Sequence, residues 1–279
     1  MAGKEDWAGA LGAEWARKAE ATDRLLRPFG GAAMEALGPV AGLRVLDLGC
    51  GGGETTLALA GAGAEATGVD VSPDLIALAE RRRAEATGRA ATARFLVADA
   101  AEAVFEEPMQ ALFSRFGAMF FPDPPAAYAH IRAQMAPGAP LAIACWRTPR
   151  ENEWASLPLM AAKPHLPPAP PADRRAPGPF AWSEPEESFA PLLRGAGWRD
   201  VAWAPVDRTI RLGEGRGDDP VEAATAYAME FGPLASRLRS EPEETARRVE
   251  AAVREAMAAR LKDGAVEAQA AGWVVTAAA

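Results

Sequence analysis

The chain has 279 residues, 49% hydrophobic and 24% charged, the profile of a soluble globular protein long enough to bury a sizeable core. Its net charge of −8 comes with no basic patch to meet a phosphate backbone, which sets nucleic-acid binding aside. Two cysteines, Cys50 and Cys145, and two histidines, His130 and His165, supply neither a disulfide framework nor a histidine-rich metal centre.

The N-terminal stretch MAGKEDWAGALGAEWARK lacks the apolar core of a signal peptide, and no run approaches the ~18 apolar residues of a membrane span. A cytoplasmic protein is expected. Residues 7–29 read as an amphipathic helix with Trp7, Leu11, Trp15, Leu25 and Leu26 on its apolar side, within a helical cap over 1–38. From Leu43 short apolar runs alternate with helical stretches. RVLDLG is strand one, ETTLALAGA a helix and EATGVDV strand two. SPDLIALAERRRAEATG opens a helix with Ser72 as N-cap and Pro73 in its first turn. ARFLVADA and QALFSRFG are strands three and four. PPAAYAHIRAQMAPG is a helix and PLAIACW strand five. This alternation predicts an open, doubly wound α/β sheet over 43–147, with ligands outside the carboxyl ends of its strands.

After Trp146 the pattern stops. Residues 148–182 are proline-dense without a period, and Trp154, Phe180 and Trp182 within them predict a lid that packs. SEPEESFAPLLRGAG is a further helix and DVAWAPVDRTIRL a strand or bent pair. Residues 218–262 read as two helices, an insertion ahead of a last strand, GAVEAQAAGWVVTAAA, in the part spanning 183–279. One domain over 1–279 is expected.

The stretch RVLDLGCGGGETTLALA is a strand, a glycine turn and a helix start, the geometry of an anion or nucleotide cradle. A phosphate loop needs Lys and Ser or Thr after its last glycine, but Glu54 follows Gly53 and would repel phosphate at a helix N-terminus. The dinucleotide fingerprint fits Gly49 and Gly51, then places Glu54 where a small residue is required. What remains is Asp47-x-Gly49-x-Gly51-x-Gly53, and here the chain resembles the class I S-adenosylmethionine-dependent methyltransferases, most clearly over Leu43 to Trp146. The resemblance implies a seven-stranded Rossmann-like sheet, mostly parallel with its last strand antiparallel. It also implies S-adenosylmethionine as cofactor and S-adenosylhomocysteine as product. Asp47 would face the amino-acid end, and Asp70, about 20 residues beyond the turn, both ribose hydroxyls. Asp99 and Ala100 would meet the adenine. Gly49, Cys50, Gly51, Gly53, Val71 and Ser114 complete the implied cofactor set.

Strand four ends in Ser114, Arg115 and Phe116. SRFG followed by Met-Phe-Phe, with Cys145-Trp146-Arg147 after strand five, resembles small-molecule enzymes similar to those of ubiquinone and menaquinone biosynthesis. Phe116, Phe120, Trp146, Trp154 and Trp182 would then wall an apolar acceptor pocket, with Arg115 or Arg147 as polar handle; the alternative for Arg115 is a brace on the cofactor carboxylate or the N-terminal helix. Asp123-Pro124-Pro125 resembles the amino-group methylation motif but stands too far along and lacks its aromatic; it reads as a helix start. Cys145 reads as a buried structural thiol and His130 as a packing residue. His165 is the weak candidate for a general base; otherwise no catalytic residue is assigned and no metal is expected. The expected activity is methyl transfer to a small, largely apolar or aromatic acceptor, O- or C-methylation being favoured over N-methylation. The alternatives are a non-catalytic regulatory protein that binds the cofactor, and a nicotinamide-dependent oxidoreductase. The acceptor is the expected partner, and the choice between monomer and homodimer is left open by the sequence.

Overall fold

A computed structural model describes residues 4–168, 176–214, 217 and 219–279. The first strands lie where the apolar runs place them. They are β1 (Arg44–Leu48), β2 (Glu65–Asp70), β3 (Arg94–Val97), β4 (Ala111–Arg115) and β5 (Pro140–Trp146). β6 (Arg199–Leu212) and β8 (Ala265–Ala278) follow, with a two-residue β7 (Leu261–Lys262). The sheet order is β3-β2-β1-β4-β5-β8-β6, with β7 paired to β8 off this path. The pairs β1–β2, β1–β4, β2–β3 and β4–β5 are parallel, and β5–β8 is antiparallel. Strand order therefore reverses between β1 and β4, each of whose carboxyl ends opens toward the same crevice. The Rossmann-like expectation, including the antiparallel strand, holds.

Helices α3 (Glu54–Gly61), α4 (Pro73–Glu85) and α5 (Pro124–Ala133) join the parallel strands. α4 begins as its sequence dictates: Ser72 Oγ accepts from the Leu75 amide, and Pro73 occupies the first turn. Asp123 likewise caps α5 by accepting from the Ala126 amide at 3.1 Å, which accounts for the Asp-Pro-Pro run. The N-terminal helix is longer than its pattern: α1 (Lys4–Ala8) is followed after Gly9 by α2 (Ala10–Leu37), which packs on β4, β5 and α4.

The chain divides into two compact units, one of Met1–Trp146, Arg175–Val206 and Gly272–Ala279, the other of Arg147–Arg174 and Asp207–Ala271. The first holds the parallel sheet and α7 (Phe189–Gly195), all that forms of the helix expected at 183–197. The second holds α6 (Glu153–Ala162), α8 (Pro220–Glu230), α9 (Gly232–Leu238) and α10 (Glu243–Ala258). Residues 148–182 are thus shared between two units, and 169–175 lie outside the described residues. The insertion read as two helices is three, all of which pack with α6, where Trp154, Ala155, Pro158 and Ala162 are buried. Pro158 hid this helix in the sequence, since proline inside a helix removes a backbone donor.

Asn152 organises the second unit. Fully buried, it donates Nδ2 to the carbonyls of Arg147, Thr148 and Ala271, while Oδ1 accepts from the Ala271 amide and the Trp154 indole. Truncating it strands several buried polar groups at about 1–3 kcal/mol each. Asn152→Ala is expected to lower the unfolding free energy by about 3 kcal/mol or more in urea titration, with the cost read as a shifted midpoint at constant slope.

Candidate cofactor and acceptor site

The glycine turn between β1 and α3 is shaped by its missing side chains. Gly49, Gly51 and Gly53 have φ of 65°, 54° and 81°, the left-handed region where glycine carries no penalty. Gly49 also meets Gly117 of the loop after β4: a β-carbon on Gly49 would lie 2.8 Å from the Gly117 Cα, and one on Gly117 2.9 Å from the Gly49 Cα. Ser114 Oγ donates to the Leu48 carbonyl at 2.7 Å, fastening the two strand ends at the crevice. Cys50 is buried beside Gly68, whose bare backbone gives its sulfur room.

The three acids occupy three different settings. Asp47 is fully buried at the base of the turn, where Oδ2 accepts from Thr55 Oγ1 at 2.6 Å and Thr56 Oγ1 at 2.7 Å. Its Oδ1 is buried with no partner among the described residues. Burial pushes its carboxyl above the ordinary range, against the two threonine hydrogen bonds and the Arg115 charge. Asp70 accepts from the Gly51 amide and the Ser72 amide, each at 2.9 Å, tying the turn to the start of α4. Burial raises its pKa too, against those same amides. Asp99 accepts from the Ala101 amide at 2.9 Å in the turn after β3, beside buried Ala100. Val71 separates Asp70 from Ser72 at the same edge of the crevice.

Glu54 faces protein, not the crevice centre. Its carboxylate takes Arg115 Nη1 at 2.5 Å on one oxygen and Arg27 Nε at 2.8 Å on the other. Burial raises its pKa, but Arg115 and Arg27 outweigh burial and hold the carboxyl below its usual value. Arg115 is thereby engaged: its other terminal nitrogen donates to Asp23 of α2 at 2.5 Å. The handle expected for an acceptor is a strut between β4, α2 and α3.

The aromatic residues expected to wall one pocket separate into groups. Phe116 stacks on Trp146 at 4.1 Å, and Phe29 of α2 closes edge-on against both. Phe116 holds φ at 59°, an outlier for a bulky side chain and a conformation characteristic of functional loops. Phe120 meets Trp7 edge-on at 5.4 Å, and Trp7 meets Trp15 at 5.3 Å. The buried Trp7 indole nitrogen has no partner among the described residues. A β-carbon on Gly12 would lie 2.1 Å from Ser72 Oγ, so the start of α2 sits directly on the end of β2. Trp182 instead packs between Tyr128 and Phe189, where it is core.

Trp154, Arg147 and His165 belong to the second unit. Trp154 is buried and donates to Asn152; Arg147 pairs with Glu151 and Asp207; His165 is exposed on a short 3-10 turn. Cys145 is fully buried, which pushes its thiol far above the range of a nucleophile, and His130 Nε2 bonds the Ala103 carbonyl at 2.8 Å. Sequence reading missed Asp23, Arg27, Arg82 and Asn152. Asp23 carried a signal, as a lone acid on the buried stripe Ala19, Leu26, Phe29 and Ala33 of α2.

A methyltransferase domain family matches residues 45–138, the stretch holding all three acids and the glycine turn. Over that stretch the chain is similar to methyltransferase domains. Among curated relatives, an uncharacterised protein of Mycobacterium tuberculosis is 30% identical over 125 residues, 44% of each chain. The chain thus matches under half the length of that relative. The ubiquinone biosynthesis O-methyltransferase of Azorhizobium caulinodans is 47% identical over 64 residues, 23% of this chain and 25% of that one. The YcgJ protein of Bacillus subtilis shares the fold, with a TM-score of 0.55 and 15% identity over 90% of this chain and 98% of its own. Among the described residues no helix is long and apolar enough to cross a membrane.

The turn fits the family's cofactor on its own evidence. A buried carboxylate oxygen without a donor among the described residues suits a ligand ammonium group.

Proposed function

We propose that this protein transfers the methyl group of S-adenosylmethionine to a small, largely apolar or aromatic acceptor, at oxygen or carbon. The observation that carries this reading is the fully buried Asp47 Oδ1, without a partner among the described residues, at the base of the glycine turn. Asp47 would receive the cofactor ammonium, Asp70 the ribose hydroxyls, and Asp99 with Ala100 the adenine edge. Bound there, S-adenosylmethionine would supply an electrophilic methyl group on a cationic sulfur. The chain's own contribution is positioning and exclusion of water. Phe116, Trp146 and Phe29 form an apolar wall beside β4 and β5, and Trp7 with Phe120 covers the neighbouring strand ends. Such surroundings favour a flat, weakly polar acceptor, and the partnerless Trp7 indole N–H offers one hydrogen bond to an oxygen. The part-length relative from ubiquinone biosynthesis, an O-methyltransferase, supports the same acceptor class.

Thermal melting distinguishes this reading from a dinucleotide enzyme. At ~100 times its Kd, S-adenosylhomocysteine stabilises by about 2.7 kcal/mol, a rise of roughly 5–10 °C for a chain of this size. A comparable rise with NADH and none with S-adenosylhomocysteine overturns the proposal. Release of S-adenosylhomocysteine on a panel of phenols, catechols and enolisable ketones then tests turnover against simple cofactor binding.

A further inference from the structure

Asp23 is a buried acid that cofactor contact does not explain. It sits in α2 with its side chain 10% exposed, and each carboxylate oxygen takes a different arginine: Arg115 Nη2 at 2.5 Å and Arg82 Nη1 at 2.8 Å. Both arginines continue to the glycine turn. Arg82 Nη1 also donates to the Gly52 carbonyl at 2.8 Å, and Arg115 Nη1 to the Glu54 carboxylate at 2.5 Å. Arg27, one turn along α2, closes the circuit on the second oxygen of Glu54. One helix outside the parallel sheet therefore holds the turn at its middle carbonyl and at the first residue of α3.

The backbone is cut to fit these side chains. A β-carbon on Gly52 would stand 2.8 Å from Arg82 Nη1, and one on Gly30 of α2 would stand 2.8 Å from Arg115 Cδ. Both arginines run against bare glycine. Breaking a buried, hydrogen-bonded ion pair on one side leaves uncompensated charge, so the two arginines lose their seats together if Asp23 is removed.

We propose that Asp23 is a positioning residue: through Arg82 and Arg115 it sets the glycine turn for ligand, making the docking of α2 and cofactor binding one coupled equilibrium. Coupling of this kind is reciprocal, so the factor by which seated α2 tightens binding is the factor by which ligand seats α2. The inference rests on the cofactor reading above, and S-adenosylhomocysteine is the probe. Asp23→Asn keeps the shape of the side chain and removes its charge; its Kd should rise at least tenfold, and KM for S-adenosylmethionine should rise with little change in kcat. In wild type, saturating S-adenosylhomocysteine should slow amide hydrogen exchange across residues 20–30, and in Asp23→Asn the ligand at saturation should protect the turn without protecting α2. A purely structural residue would lower stability and leave that ligand-induced protection intact. Unchanged affinity in Asp23→Asn, or no ligand effect on exchange in wild-type α2, overturns the proposal alone. The wild-type exchange result stands even if the variant fails to fold. Failure of wild type to bind S-adenosylhomocysteine overturns the cofactor reading, and this proposal with it.

Discussion

Asp47→Asn is expected to weaken S-adenosylhomocysteine binding at least tenfold, about 1.4 kcal/mol, while leaving the unliganded protein as stable as wild type or more so. The two effects have opposite origins. In the free protein a buried carboxylate has one oxygen satisfied by two threonine hydroxyls and the other by nothing. Its ionised form is therefore disfavoured, which is why burial raises the pKa. A carboxyl whose folded pKa exceeds its unfolded value binds protons more tightly when folded. Its contribution favours folding at low pH and is lost as pH rises from the ordinary carboxylate range through the raised value. Asparagine has no such dependence. The difference in unfolding free energy between variant and wild type should therefore grow in the variant's favour from pH 4 to pH 7, read by urea titration at each pH. Ligand affinity should move the other way, because the ammonium partner needs the carboxylate ionised. A variant that loses stability at pH 7 and keeps its affinity would show Asp47 to be a plain structural acid.

Asp70→Ala carries the second large effect, a loss of roughly 1.5–3 kcal/mol in S-adenosylhomocysteine affinity, the scale of charge-assisted hydrogen bonds. Asp70 has two occupations. It anchors Gly51 and Ser72 through their amides, and each carboxylate oxygen keeps a lone pair for a ligand hydroxyl. Alanine removes both. Asp70→Asn retains one acceptor and should fall between alanine and wild type by calorimetry. Equal affinity across all three variants would remove Asp70 from the ribose role.

What the sequence made legible was local or regularly spaced. The parallel strands followed from apolar runs, and the turn from glycines placed where φ must be positive. The helix starts at Ser72 and Asp123 followed from caps that act within three residues. What it hid was long-range. Glu54 is bound by residues 27 positions before it and 61 after it, separations that no motif encodes. Arg115 read either as an acceptor handle or as a brace on the cofactor carboxylate or the N-terminal helix, and its contact with Asp23 of α2 decides for the helix. The second unit unites 147–174 with 207–271, so neither segment showed its apolar partner in its own pattern. Within the first, Pro158 masked a helix that packing holds in place.

The facing glycines 49 and 117 have a consequence for how this crevice can change. Most tight packing is negotiable, since a larger residue on one side can be answered by a smaller one opposite. Here both residues are already the smallest, so any enlargement on either side has nothing to trade against and must part the loops after β1 and β4. The separation of those loops is at its floor. Libraries that seek new acceptors should leave this pair fixed and diversify the aromatic residues around it, where exchange of volume is still open.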